Sequence, residues 1–246
     1  MSEFTALKVL WKRELLRFIR AKSRIVGSLG MPLFFLLFLG TGLSSSFSQG
    51  NYMEFIAPGI IGMVLMFSSI ASGLTVIMDR QFGFLKEILV APVSRLVIVL
   101  GKTFGGATTS ILQAALIMLL MPFLGVTFNA TGFLTALLFM ILISLSFVAL
   151  GIAIASKMED MHGFQLVMNF LVMPLFFLSG ALFPLNNLPG WLKTLTLIDP
   201  LTYGVDGLRG ALTESSVMPF WADFTILALF CAVMLGISAW LFTKKN

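Results

Sequence analysis

The chain has 246 residues, of which 58% are hydrophobic and 11% are charged, and its formal net charge is +5. A soluble domain carries about 25% charged residues. A water-soluble body of this length has too little interior to hide so much apolar surface, which excludes a soluble catalytic or nucleic-acid-binding domain and makes lipid the solvent for much of the chain. The apolar density runs through almost the whole length. The expectation is one all-α membrane domain over 1–246, built from six transmembrane helices with an N-terminal amphipathic helix ahead of them.

The first element is that amphipathic helix, over 1–24. Phe4, Leu7, Trp11, Leu15 and Phe18 recur at three- and four-residue spacing and gather on one helical face, while Lys12, Arg13, Arg17, Arg20 and Arg24 lie mostly opposite. Such a helix is expected in the membrane interface, with its apolar face in lipid and its cations at the headgroups. A second role, contact with a partner protein, is compatible with the same pattern; Trp11, Arg13 and Arg17 are the candidate residues of this interface helix. No cleavable signal peptide is expected, because the first 24 residues are too charged, and the first apolar helix should act as an uncleaved anchor.

Three stretches are nearly free of charge: Ile25 to Met78 holds only Glu54, and Thr103 to Ser156 and Gly163 to Leu192 hold none. A spanning helix needs about 20 apolar residues. The first two stretches each fit two spans, broken at the polar turn 41–46 and near Gly125-Val126-Thr127-Phe128-Asn129; the third fits one, and 222–243 supplies a sixth. The expected spans are 25–43, 55–78, 97–122, 133–156, 163–183 and 222–243. An even number puts both termini on one side. Fourteen of the 16 Lys and Arg residues fall on that side and only Lys193 and Arg209 on the other, so both termini are expected in the cytoplasm.

Between spans two and three lies the segment 79–95. Phe84, Leu85, Ile88 and Leu89 form a short apolar face, Lys86 and Glu87 sit off it, and Pro92 stops the helix. A short cytoplasmic helix joined tightly to two spans can transmit force; it can also simply lie on lipid. The segment 184–219 is apolar for a loop yet holds Asp199, Asp206, Arg209 and Glu214. Short helices that dip into the outer leaflet and fold back account for this, and Asp206 and Arg209 should then pair or sit near water.

Several patterns carry no chemistry. Gly101-Lys102-Thr103 lacks the upstream glycine of a phosphate loop, since position 96 is Leu96, and it lies in a membrane span; the chain should not bind ATP. His162 stands beside Glu159 and Asp160 without a second histidine or thiol, so no metal site is expected. Cys231 is single, lies in an apolar run and reads as a buried small hydrophobe. Asn129-Ala130-Thr131 is a sequon that matters only in a glycosylating compartment. No catalytic constellation stands out. Gly101 and Gly105 have a spacing suited to close helix contact.

Two segments resemble the permease subunits of ABC-2 type exporters, a group that includes drug, lipid and polysaccharide exporters. The first is Pro200-Leu201-Thr202-Tyr203 followed by Arg209, with Leu178-Ser179-Gly180-Ala181 and Leu188-Pro189 upstream; Val172 is a conservative departure at the start of that signature. The second is the run Gly83, Glu87, Leu89, Pro92 and Arg95, which is similar to the family's coupling helix and encloses Lys86. The likeness covers nearly the whole chain. It implies a permease that pairs with a second copy, as a homodimer, and docks two separately encoded ATP-binding subunits, which hold ATP and Mg. The segment around Glu87 and the interface helix would carry the ATPase motion into the spans, and Ser179, Gly180, Pro189, Pro200, Tyr203 and Arg209 would shape the re-entrant region. The competing class is a self-contained channel or secondary transporter, which usually shows intramembrane charges, repeats or broken helices. The spans here are poor in charge, which suits a hydrophobic or amphiphilic cargo such as a drug, lipid or lipid-linked glycan.

Overall fold

The computed structural model describes residues 2–44, 51–84, 93–185 and 188–245. The described residues form an all-α bundle: α1 (Glu3–Arg20), α2 (Lys22–Gly42), α3 (Tyr52–Ser72), α4 (Leu74–Gln81), α5 (Arg95–Leu120), α6 (Ala130–Lys157), α7 (Met161–Leu178), α8 (Gly190–Ile198), α9 (Pro200–Thr213) and α10 (Phe220–Lys245). Six of these segments are long and apolar enough to cross a membrane: α2, α3 with α4, α5 with the 3-10 turn Met121–Leu124, α6, α7 and α10. Their bounds fall within a few residues of the expected spans, with two differences. The second span runs on through Gln81, so Asp79 and Arg80 are helical and not loop. The fifth ends at Leu178, five residues short of the expected 183, because Ser179 and Gly180 turn the chain, Gly180 at a φ of +72°.

Polar side chains start most of these helices. Ser2 accepts from the Thr5 N–H, Asn51 from Met53, Ser94 from Val97, Asn129 from Gly132, Asp160 from Gly163 and Asp199 from Leu201. Each satisfies an amide that the helix itself leaves orphaned. The sequon residue Asn129 is thus a helix cap, and Gly125, at a φ of +85°, makes the reversal before it.

The bundle is organised around α6, which packs on α3, α5, α9 and α10. The spans built on α3 and α6 bury most of their residues, whereas α2, α7 and α10 bury few of theirs. The α3–α6 crossing is very close. A methyl added to Gly151 would lie 2.5 Å from the Ile70 carbonyl oxygen, and one added to Gly73 would lie 2.4 Å from the Gly151 carbonyl oxygen. The break between α3 and α4 falls at this crossing, so Gly73 serves both the helix interruption and the contact.

Both described ends of the chain lie at one end of the bundle, where α1, α4, the start of α5 and the end of α10 meet; we call this the basic end and the opposite one the distal end. Arg95 donates to the Thr243 carbonyl there, and Arg80 to the carbonyls of Met158 (2.7 Å) and Ser156 (3.5 Å).

Candidate functional site

At the basic end, α1 is laid against α5 and α4. A methyl on Gly101 would lie 2.8 Å from Leu10 Cβ, and one on Gly105 would lie 2.6 Å from Glu14 Cβ, so the two glycines form a trough in α5 that receives α1. The small-residue spacing seen in the sequence is used inside the chain. Trp11 Nε1 donates to Thr108 Oγ1 at 3.0 Å.

This seating differs from the expected amphipathic pattern. The helix ends at Arg20 and not Arg24, and its buried residues are Ala6, Leu10 and Glu14. Phe4 stands 66% exposed and Trp11 36%, which suits the expected lipid-facing side; the departure is on the cationic side. Arg13 and Arg17 do not reach outward to headgroups. One turn apart on α1, they turn toward Asp79 of α4. Arg13 holds both carboxylate oxygens at 2.7 and 3.0 Å, Arg17 Nη2 holds Oδ1 at 3.0 Å, and Lys102 Nζ of α5 takes Oδ2. Glu14 lies 3.6 Å from Arg17, 3.8 Å from Arg13 and 3.8 Å from Lys102. The physical reason is desolvation. Asp79 and Lys102 are 3% and 2% exposed, and a buried charge must be paired. Arginine's planar fork meets a carboxylate bidentately, which outweighs a solvated position for Arg13. Three cations against two carboxylates thus join α1, α4 and α5.

The 79–95 segment leaves from this cluster. Gln81 donates to the Glu159 carbonyl at 3.3 Å, Gly83 turns the chain at a φ of +78°, and the Arg13 guanidinium stacks 3.7 Å from the Phe84 ring centroid. Arg95 reaches the end of α10 on the return. Lys86, Glu87, Leu89 and Pro92 lie outside the described residues.

At the distal end, α8 and α9 make a helical hairpin. Pro189 precedes α8, Pro200 opens α9, and two α9 side chains close the turn: Tyr203 Oη donates to the Leu197 carbonyl and Thr202 Oγ1 to the Thr196 carbonyl, both at 2.7 Å. These satisfy carbonyls that the end of α8 leaves free. α9 runs antiparallel to α6, with Ala211 beside Gly132, Gly207 beside Phe139 and Gly204 beside Ile143. Eleven residues of α6 are traversed, roughly 16 Å of helix. Arg209 then ties the hairpin to the α7 end. Its Nη2 donates to the Gly180 carbonyl at 3.0 Å and approaches the Phe55 carbonyl at 3.5 Å, with the guanidinium 4.1 Å from the Phe55 ring and 4.0 Å from Asp206. Ser179 Oγ bonds the Phe176 carbonyl at 2.7 Å, and Tyr52 Oη bonds Leu182 at 3.0 Å, fixing the turn that Arg209 reads.

The comparisons with known proteins agree on one class. The model of the ABC-2 type transporter family matches residues 5–213. The chain is 31% identical over 217 residues to a protein of Cyanophora paradoxa named for transport permease ycf38, covering 85% of this chain and 75% of that one. It is 27% identical over 233 residues to the inner membrane transport permease YadH of Escherichia coli K12, covering 92% and 90%. It is 29% identical over 239 residues to nodulation protein J of Rhizobium meliloti, covering 89% and 91%.

The chain belongs to the ABC-2 type transporter family. It is therefore a multi-pass membrane transport permease, of a family whose members work with an ATP-binding subunit.

The permease's signature residues fall at two places. Arg209 and Gly180 meet directly across 29 residues of sequence and Ser179 holds the turn beside them, while Pro200 and Tyr203 shape the α8–α9 turn at the other end of α9. Trp11, Arg13 and Arg17 meet at the basic end, and Gly83 leads away from it. Sequence reasoning gave Glu14, Asp79 and Lys102 no role. A signal existed: Asp79 and Lys102 each border a charge-free stretch, where an ion at the edge of the apolar layer needs a partner. The permease also encloses a cavity of about 490 Å³ between α1, α2, α3, α5 and α7. Met31, Phe35, Met63, Phe67 and Met168 give it apolar walls, Ser68, Thr109 and Gln165 add polar atoms, and Glu14 and Arg17 stand at one end. Gln113 also lines it, with a buried Oε1 that has no hydrogen-bonding partner among the described residues.

Proposed function

We propose that this permease is the membrane half of an ATP-driven exporter, that two copies pair as a homodimer, and that each docks a separately encoded ATP-binding subunit through the segment 79–95. Both termini face the cytoplasm, and the α8–α9 hairpin is re-entrant from the outer side, which the antiparallel run of α9 along α6 supports. The observation that carries the reading is the Asp79 cluster. It ties α1, α4 and α5 together at the root of the docking segment, so displacement of that segment is passed to two spans at once. Glu87 and Pro92 make the contact, with Gly83 and Arg95 at its two ends. ATP and Mg are bound by the partner. The cargo is hydrophobic or amphiphilic, in keeping with the mixed walls of the α1–α7 cavity and with its methionines, which repack around varied shapes.

The test is reconstitution with the ATPase encoded beside the permease. We expect co-purification and an ATPase rate that rises with an amphiphilic cargo from a panel of drugs, lipids and lipid-linked glycans. Glu87→Ala and Pro92→Ala should insert normally and lose that stimulation. Failure of any ATPase to co-purify would refute the partnership and favour a self-contained channel or secondary transporter. Labelling of Ser2→Cys from outside intact cells would overturn the orientation.

A further inference from the structure

The distal end has the opposite charge balance from the basic one. It holds four carboxylates, Glu54, Asp206, Glu214 and Asp223, against Lys193 and Arg209. Asp206 is engaged: its oxygens accept from the Val217 N–H (3.0 Å) and the Met218 N–H (2.7 Å), and Arg209 is nearby. Asp223 is not. It is 0% exposed, and neither carboxylate oxygen has a hydrogen-bonding partner among the described residues. A buried, unpaired carboxylate is among the costliest groups a protein can hold. Such a carboxylate is balanced either by a proton of its own or by a cation beside it, and a cation needs room next to the first turn of α10, where Asp223 sits.

The space for one is present. Asp223 lines a cavity of about 220 Å³ between α6, α9 and α10, with Thr135 beside it and the exposed Asn129, Thr131, Glu214 and Ser216 toward its mouth. The α9 side consists of Gly207, Gly210 and Ala211, whose lack of bulk leaves the room. A water molecule occupies about 30 Å³ of liquid, so the cavity admits an ion with part of its shell or an ammonium group on a short alkyl chain. The polar side-chain atoms are chiefly carboxylate, amide and hydroxyl oxygens, which are hard donors. Among the described residues no three acidic, histidine or cysteine groups converge as a metal site would need, so one buried negative charge is what must be balanced.

We propose that the Asp223 cavity binds a monovalent cation, either an alkali-metal ion or a primary ammonium group. The proposal rests on the buried carboxylate and its cavity and is independent of the transport reading. The purified full-length permease, in nanodiscs at neutral pH and constant ionic strength, is heated in buffers whose cation is N-methylglucamine, sodium, potassium, ammonium or protonated ethanolamine. The melting temperature should rise saturably in at least one of the last four over N-methylglucamine, by roughly 5–10 °C at a hundred times the dissociation constant. Metal ions and ammonium compounds form separate arms and identify the source. Asp223→Asn should abolish the rise, and Thr135→Val should weaken the apparent affinity several-fold. Infrared difference spectra of the unmutated protein should show carboxylate bands in the binding cation. An equal rise in Asp223→Asn, no cation-specific rise at all, or a protonated carboxyl band that persists at saturating cation would overturn the proposal.

Discussion

At the basic end three cations from α1 and α5 close on Asp79, whereas at the distal end Asp223 faces a cavity with no partner of its own. Both carboxylates are almost fully buried, so burial alone does not distinguish them. The difference lies in what each one joins. Asp79 joins α1, α4 and α5 where the segment 79–95 leaves the bundle, and its oxygens are paired within the chain. Asp223 is left with space beside it, which marks a place to receive something and not a joint. The same residue type is thus a fastening at one end and a receptor at the other.

The largest effect is expected at the fastening. Asp79→Ala leaves Lys102 buried without its main acceptor and releases two arginines from α4. Removing one member of a buried ionic set costs about 3–5 kcal/mol. Denaturant or thermal unfolding in nanodiscs measures the loss. The double variant Asp79→Leu with Lys102→Met replaces the buried ions by apolar volume and should recover much of the stability, while α1 stays detached from α4 and ATPase stimulation remains low. Full coupling in that double variant would mean that the cluster is merely a way to bury charge. Asp223→Asn should have the opposite sign: without a binding cation it relieves an unpaired charge and raises stability.

How far the sequence reveals these two regions depends on range. The six spans, the break at Gly125 and the interface helix rest on local apolar periodicity and turn residues, and they lie within a few residues of expectation. The pairing of Asp206 with Arg209 was legible because the two sit one helical turn apart. The Asp79 cluster was not, since Arg13 is 66 residues away in sequence and Lys102 is 23. On α1 the reading of Arg13 and Arg17 as headgroup contacts missed their inward turn to Asp79. On a helix with apolar residues on more than one side, tertiary packing against the Gly101–Gly105 trough chose the face, and no local pattern encodes that choice. Asp223 was hidden for a different reason. A charged residue in the first turn of a spanning helix reads as interfacial, and only the packing of α9 and α6 over it makes it buried.

A smaller effect is expected at Arg209, which links the hairpin to the α7 end. Arg209→Lys keeps the charge but loses the planar fork that reaches the Gly180 carbonyl while stacking on Phe55. The cost should be about 1–3 kcal/mol, appearing as faster proteolysis or hydrogen exchange of 179–213 and not of α1. Spreading of the loss to the basic end would show that the two regions are one cooperative unit and not two.

The smallest effect belongs to Trp11, and it separates the two ways in which α1 is held. Its indole N–H bonds Thr108, but the residue is 36% exposed, so water can replace part of that bond. Trp11→Phe keeps the ring area and removes the donor, at a cost of about 0.5–1.5 kcal/mol, with the lower half of that range expected. Because Arg13 and Arg17 still hold Asp79, α1 should stay seated, and a spin-label pair at the exposed positions Lys8→Cys on α1 and Leu112→Cys on α5 should report an unchanged distance. Combined with Asp79→Ala, the same change should move the label pair apart by more than either substitution alone. Additivity would mean that the ionic cluster and the tryptophan act on separate segments of α1. A greater-than-additive displacement would mean that the helix leaves α5 as a rigid unit once the ions are gone, the behaviour required of an element that passes motion into the spans.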